Sequence, residues 1–168
     1  MCYHCLADLK ADPEFLLEQE NIFIIREPGS SIRSHFAVYP HMPLHAIGHK
    51  AQYEIFCEVT RLTGRIPYVI NADELARYPE KTISQLCDYL KLPFLPDALC
   101  WNQECPVQWL PWRRWHKEAE QSTHIYSAIS PQLGDEALRG NTRLIQYYRF
   151  HRPYYERMNQ FAGTAGEL

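Results

Sequence analysis

Two rhythms of apolar and polar positions alternate along this chain. Asn21-Ile22-Phe23-Ile24-Ile25-Arg26 is a continuous apolar run ending in a charge. That is the pattern of a strand buried on both faces of a parallel sheet. Pro67-Tyr68-Val69-Ile70-Asn71 repeats it. Between these runs, Ile47, Ala51, Ile55, Val59 and Leu62 recur at steps of three or four, predicting an amphipathic helix over Leu44–Thr63 ended by Gly64. Asp12-Pro13-Glu14 starts a short helix with proline in its first turn, after an irregular or helix-like segment to Lys10. Glu27-Pro28-Gly29-Ser30 turns the chain, Ser31–Tyr39 reads as helical, and Pro40–Pro43 as a loop. Pro79 opens a helix with Ile83, Leu86, Cys87 and Leu90 on one face, stopped by Pro93.

Strand, helix, strand, helix predicts an α/β fold with a parallel sheet flanked by helices. The segment from Trp101 to His116 is loop-like and carries all four tryptophans. A last helix is expected over about Glu136–Phe161, and the tail over 163–168 is expected to fray.

The chain's 168 residues are 46% apolar and 13% aromatic, with 7 Gly and 12 Pro, which excludes disordered and collagenous classes and suits a single domain over 1–168. The net charge of −3, with no basic run longer than Arg113-Arg114, argues against nucleic acid as a partner. No stretch of about 18 apolar residues exists to span a membrane. The first fifteen residues, acidic early and without an apolar core, do not read as a signal peptide. Cys57 and Cys87 fall on helical apolar faces, and six cysteines in a chain this long suit a reducing cytoplasm better than a disulfide scaffold.

The segment Ile24 to Ser34 carries the most chemistry. A strand delivers Arg26 to the carboxyl edge of the sheet, where α/β folds bind ligands. The helix after the turn offers free N–H groups and a positive dipole end to an anion, with Ser34 in its first turns. The plainer alternative is Ser30 as a helix cap and Arg26 in a surface ion pair.

Arg26 followed eight positions later by Ser34, after an apolar strand and a proline turn, resembles the 3′-phosphate motif of the PAPS-dependent sulfotransferases. Tyr68 to Leu75 with Pro79-Glu80 is similar to a second motif of that family. Ile47-Gly48, Gln52-Tyr53-Glu54 and Trp112 to His116 with Ser122-Thr123 resemble its bacterial-type members. The resemblance implies a P-loop-NTPase-like sulfotransferase fold missing its first βα unit, incomplete at the N-terminus. It implies transfer of a sulfuryl group from 3′-phosphoadenosine 5′-phosphosulfate to a small-molecule acceptor hydroxyl or amine, without a metal. By the same resemblance Arg26 and Ser34 hold the 3′-phosphate, Arg139 and Gly140 form a further phosphate loop, and His4 is the catalytic base. Trp112, Trp115 and His116 cover the acceptor.

No Gly/Ser/Thr-rich loop with a basic residue lies upstream of Arg26. This favours the alternative of a non-catalytic module that binds a nucleotide or a partner, and an unpaired sheet edge would draw in a second copy or a complementing chain. Cys2-Tyr3-His4-Cys5 also allows a zinc reading. No second CxxC or HxxxH pair follows at finger spacing, so Cys100 and Cys105 would have to complete it through the fold.

Overall fold

A computed structural model of the chain describes residues 12–103, 107–113, 119–125, 138, 140–164 and 166–167. The chain divides into two compact units, residues 1–73 with 130–168, and residues 74–129.

The first unit is built on a parallel pair. Strand β1 (Ile22–Ile25) lies beside a later strand, Tyr68–Asn71, with Ile22 opposite Tyr68 and Ile25 opposite Asn71. Before β1, helix α1 (Pro13–Glu18) is capped by Asp12, whose carboxylate accepts from the Phe15 N–H at 3.0 Å. After β1 come helix α2 (Pro28–Val38), a 3₁₀ turn (Leu44–Ile47), helix α3 (His49–Thr63) and the two-residue strand β2 (Arg65–Ile66). The Tyr68–Asn71 strand is therefore β3. Strand β2 pairs antiparallel with Gly166–Glu167 near the chain end.

Phe23, Ile25 and Val69 face one side of the sheet and bury against Leu16, Ile55, Phe56, Val59 and Met158. Phe56 meets Phe23 edge-on with centroids 5.6 Å apart, and stacks on Phe161 at 5.5 Å. A second cluster joins Ile32, Met42, Leu138, Leu144 and Tyr148. Ile22 and Ile24 depart from the expectation of a strand buried on both faces: Ile24 is 52% exposed. Among the described residues, the odd-numbered face of β1 is the one buried against helices.

Helix boundaries differ from the periodicity for identifiable reasons. Helix α2 starts at Pro28, three residues early, because the Glu27 carboxylate accepts from the Ser30 N–H at 2.8 Å and caps it. The predicted Leu44–Thr63 helix is broken at Gly48, whose φ of 86° is a left-handed conformation that glycine adopts without steric cost. Gly64 ends α3 with φ of 67°, as its position suggests. Cys57 points outward from α3 and is exposed, opposite the face formed by Ile55, Phe56 and Val59.

In the second unit, helix α4 (Ala72–Arg77) leads out of the first, and α5 runs Pro79–Leu90. The latter stops at Lys91, in left-handed conformation (φ 56°), before Pro93 is reached. Short 3₁₀ turns (Pro96–Leu99, Val107–Trp112) and a bridge between Cys100 and His124 follow. Helix α6 (Thr142–Asn159) returns to the first unit. Asn141 caps it, its side chain accepting from the Leu144 N–H at 3.2 Å. No helix among the described residues is long and apolar enough to cross a membrane.

Candidate anion-binding groove

A groove of about 430 Å³ runs beside β1. Phe15 and Leu16 of α1, Ile22 and Ile24 of β1, and Ile47 and Ile55 give it apolar walls. Arg26, Ser31, His49 and Gln52 supply polar groups. Each arrives there for a local reason. Arg26 is the first residue after β1, so the strand carries its exposed guanidinium to the carboxyl edge of the sheet. Gly48 bends the chain so that α3 begins at the groove wall, and no side chain caps that helix start. Gln52, one turn into α3, donates its amide to the Ile24 carbonyl at 2.7 Å.

The two helix starts nearest Arg26 are not equivalent. The N-terminus of α2, where the sequence places an anion, already holds the Glu27 carboxylate. A second negative charge there would meet a like charge. The N-terminus of α3 carries no acid in its first turn and leaves its dipole end without a side-chain partner.

Buried histidines lie behind the groove. His49 is only 6% exposed, its ring 5.6 Å from that of His151 and 6.3 Å from that of Tyr155. Its Nε2 is buried and has no hydrogen-bond partner among the described residues. Burial, then the neighbouring His151, pushes the His49 pKa down to about 4. His151 meets the Leu44 carbonyl at 2.8 Å through Nε2. A carbonyl only accepts, so Nε2 carries the proton and the buried, unpartnered Nδ1 is bare. Burial lowers the His151 pKa as well. At the end of β3, the Asn71 amide donates to the Tyr155 hydroxyl at 3.1 Å and to Asn159 Oδ1 at 2.7 Å. Its own Oδ1 accepts from the Asp73 N–H at 2.8 Å. Burial raises the Tyr155 pKa against the opposing effect of the Asn71 hydrogen bond.

Of the residues singled out in the sequence, Arg26 lines the groove. Ser34 is exposed on α2 and is not one of its walls; Ser31, one turn earlier, is. Gly140 is exposed, with φ of 89°, just before the α6 cap, and it does not line the groove either. His4, Arg139, Trp115 and His116 lie outside the described residues, as do Cys2, Cys5 and Cys105. The backbone of Trp112 closes a 3₁₀ turn, and its side chain lies outside the description. Among the described residues, no group of three or more His, Cys, Asp or Glu side chains is placed to hold a metal ion. Gly48, His49 and Gln52 were missed as a functional group. The signal for them was a glycine inside a helical apolar pattern, which marks a turn or a close approach.

Comparison with known proteins gives two curated relatives. Branched-chain-amino-acid aminotransferase-like protein 2 of Arabidopsis thaliana is 32% identical over 118 residues, covering 68% of this chain and 20% of its own length. Branched-chain-amino-acid aminotransferase-like protein 1 of the same plant is 33% identical over 118 residues, with the same coverage. The chain thus spans about a fifth of the length of the curated relatives it matches. No family model matches, and no solved structure matches. The relatives' names overturn the sulfotransferase resemblance, and with it sulfuryl transfer and 3′-phosphoadenosine 5′-phosphosulfate as co-substrate. The α2 start already holds the Glu27 carboxylate, and the groove beside Arg26 is lined by Ser31 and not by Ser34.

Proposed function

We propose that this chain recognises a small ligand bearing a phosphate or carboxylate group, as one region of a larger aminotransferase-like protein. The observation that carries the reading is that Arg26 and the uncapped start of α3 line one groove with apolar walls. A guanidinium matches an oxyanion in two-pronged fashion, each charge-assisted bond contributing about 1.5–3 kcal/mol. The helix start adds its dipole and free N–H groups. Gln52 and Ser31 give neutral donors, and Ile22, Ile24, Ile47 and Ile55 receive an aliphatic body. The relatives' names supply the context, in which such a group belongs to an amino acid, an oxo acid or a phosphorylated cofactor.

Pyridoxal phosphate itself does not fit the described residues. Its chemistry needs a lysine amine at the site. Lys50, Lys81 and Lys91 are all exposed and none lines the groove; Lys50 pairs instead with Glu54 at 3.7 Å. No aminotransfer step is therefore assigned to them. A reducing, cytoplasmic setting accompanies this proposal, supported by the free thiols of Cys57, Cys87 and Cys100.

Backbone amide shifts followed by NMR during titration with inorganic phosphate, and separately with 4-methyl-2-oxopentanoate, test the proposal. Saturable shifts at Gly48, His49 and Gln52, weakened about tenfold or more in Arg26→Ala, support it. Comparison of the two titrations tells phosphate from carboxylate recognition. Shifts that never saturate, or that survive Arg26→Ala unchanged, sink it.

A further inference from the structure

Among the described residues strand β1 is paired with another strand along one edge only, and that strand is β3. On the far side of β3 the Gly163 N–H donates to the Val69 carbonyl at 2.9 Å, so Val69 turns its backbone groups away from β1. Val69 sits opposite Phe23 in parallel register. In such a ladder the residue facing an outward-turned one bonds inward. Phe23 and Ile25 therefore direct N–H and C=O toward β3, and Ile22 and Ile24 direct theirs to the open edge. The Gln52 amide on the Ile24 carbonyl agrees.

Ile22 and Ile24 are the exposed side chains of β1, and the exposed Glu20 and Arg26 flank the strand before and after it. In chain order these exposed side chains are acid, apolar, apolar, base. We propose that the open edge of β1 is a docking surface for a second copy of this chain, the two β1 strands pairing antiparallel about Phe23.

Backbone parity and charge select this register. Outward-turned residues must face outward-turned residues, so only alignments differing by two residues are open. Centred on Phe23, Ile22 of one copy faces Ile24 of the other, twice, and Glu20 faces Arg26, twice. One step either way sets an isoleucine against a charged side chain. Glu20 also lies 4.0 Å from Arg65 in an exposed ion pair. Gln52 acts as a placeholder on the edge carbonyl and swings aside when the second strand arrives. Charged ends flanking the two isoleucines oppose parallel stacking and limit growth beyond a pair.

The proposal stands on the edge and its charge pattern; Ile22, Ile24, Arg26 and Gln52 also line the oxyanion groove, so a second strand and a small ligand exclude one another there. The test is sedimentation equilibrium of the full chain from a few micromolar to several hundred micromolar. Expected is a reversible shift from one chain to two. Ile24→Lys, at an exposed position, weakens the dimer by about tenfold or more, because the substitution counts twice across the two-fold axis. Arg26→Glu weakens it too, and the charge exchange Glu20→Arg with Arg26→Glu restores it. Far-ultraviolet circular dichroism checks that each variant is folded, and the charge-exchange pair decides the matter if Ile24→Lys is not. A chain that stays monomeric throughout, higher assemblies without a dimer, or a dimer indifferent to both Ile24→Lys and Arg26→Glu alone overturns the proposal. Phosphate titration at micromolar, monomeric concentrations reports on the oxyanion groove separately.

Discussion

The imidazoles of His49 and His151 face each other across 5.6 Å between α3 and α6, each with one buried nitrogen that has no hydrogen-bond partner among the described residues. Both are held neutral by burial, His49 with a pKa of about 4. An unfolded histidine titrates near 6.5. Between those values the unfolded chain binds more protons, so stability rises with pH across this window. The His49 contribution is complete above pH 6.5 and is lost as the pH falls toward about 4, at a cost of about 3 kcal/mol. Urea unfolding at stepped pH should show this loss, and His49→Phe should flatten the profile between pH 6.5 and 4. Parallel profiles for the two proteins would remove His49 as the cause.

Glu27 caps α2 with one carboxylate oxygen while its other, Oε1, is buried without a partner. Glu27→Ala should destabilise the protein by about 1 kcal/mol through loss of the cap. The same substitution frees the α2 start, so phosphate should bind the variant at a second locus. Amide shifts at Gly29 and Ser30 during titration would report it, and their absence would mean the helix start is not accessible.

Asn71 ties the end of β3 to α6 through Tyr155 and Asn159 and holds the Asp73 N–H at the start of α4. Asn71→Ala deprives three groups at once and should cost about 2–3 kcal/mol. Tyr155→Phe removes one acceptor and should cost about 1 kcal/mol. If the two act through one contact, the double variant loses less than the sum of the singles. Strict additivity in denaturant titrations would show that the Asn71–Tyr155 bond contributes nothing.

Met158 is 1% exposed and places α6 in the core cluster beside Phe23, Ile25 and Val69. Met158→Ala should lower stability by about 2–5 kcal/mol, from lost burial plus the cavity left behind. Met158→Leu should cost less than about 1.5 kcal/mol. Similar losses for both in chemical unfolding would mean that shape at this position matters more than volume.

How much of this was legible in the sequence depended on whether a signal lay in local chemistry. Apolar runs marked β1 and β3, Gly64 marked the end of α3, and Pro79 the start of α5. The break at Gly48 was hidden because Ile47 and Ala51 keep helical step across it, so the apolar phase continues where the backbone does not. The early start of α2 was hidden because glutamate is not among the favoured capping residues. The openness of one β1 face depends on what lies beside it, which no local pattern records. That Arg26 directly follows a strand was legible from the apolar run before it. The residues that line a groove with it were not, since Ser31, His49 and Gln52 come together through the fold and the last two lie beyond the Gly48 bend.

The His151 bond to the Leu44 carbonyl joins residues 107 apart, and the Asn71 bond to Tyr155 joins residues 84 apart. The second unit, 74–129, is made between them. At about 5–20 residues per second, a ribosome needs roughly 4–18 s to travel from the end of β3 to the end of α6. During that interval Phe23, Ile25 and Val69 have α3 but lack Met158. The nascent protein thus carries a half-covered apolar sheet as it leaves the tunnel, and the wait set by the intervening segment is a window in which chaperones and proteases compete with α6 for the same surface.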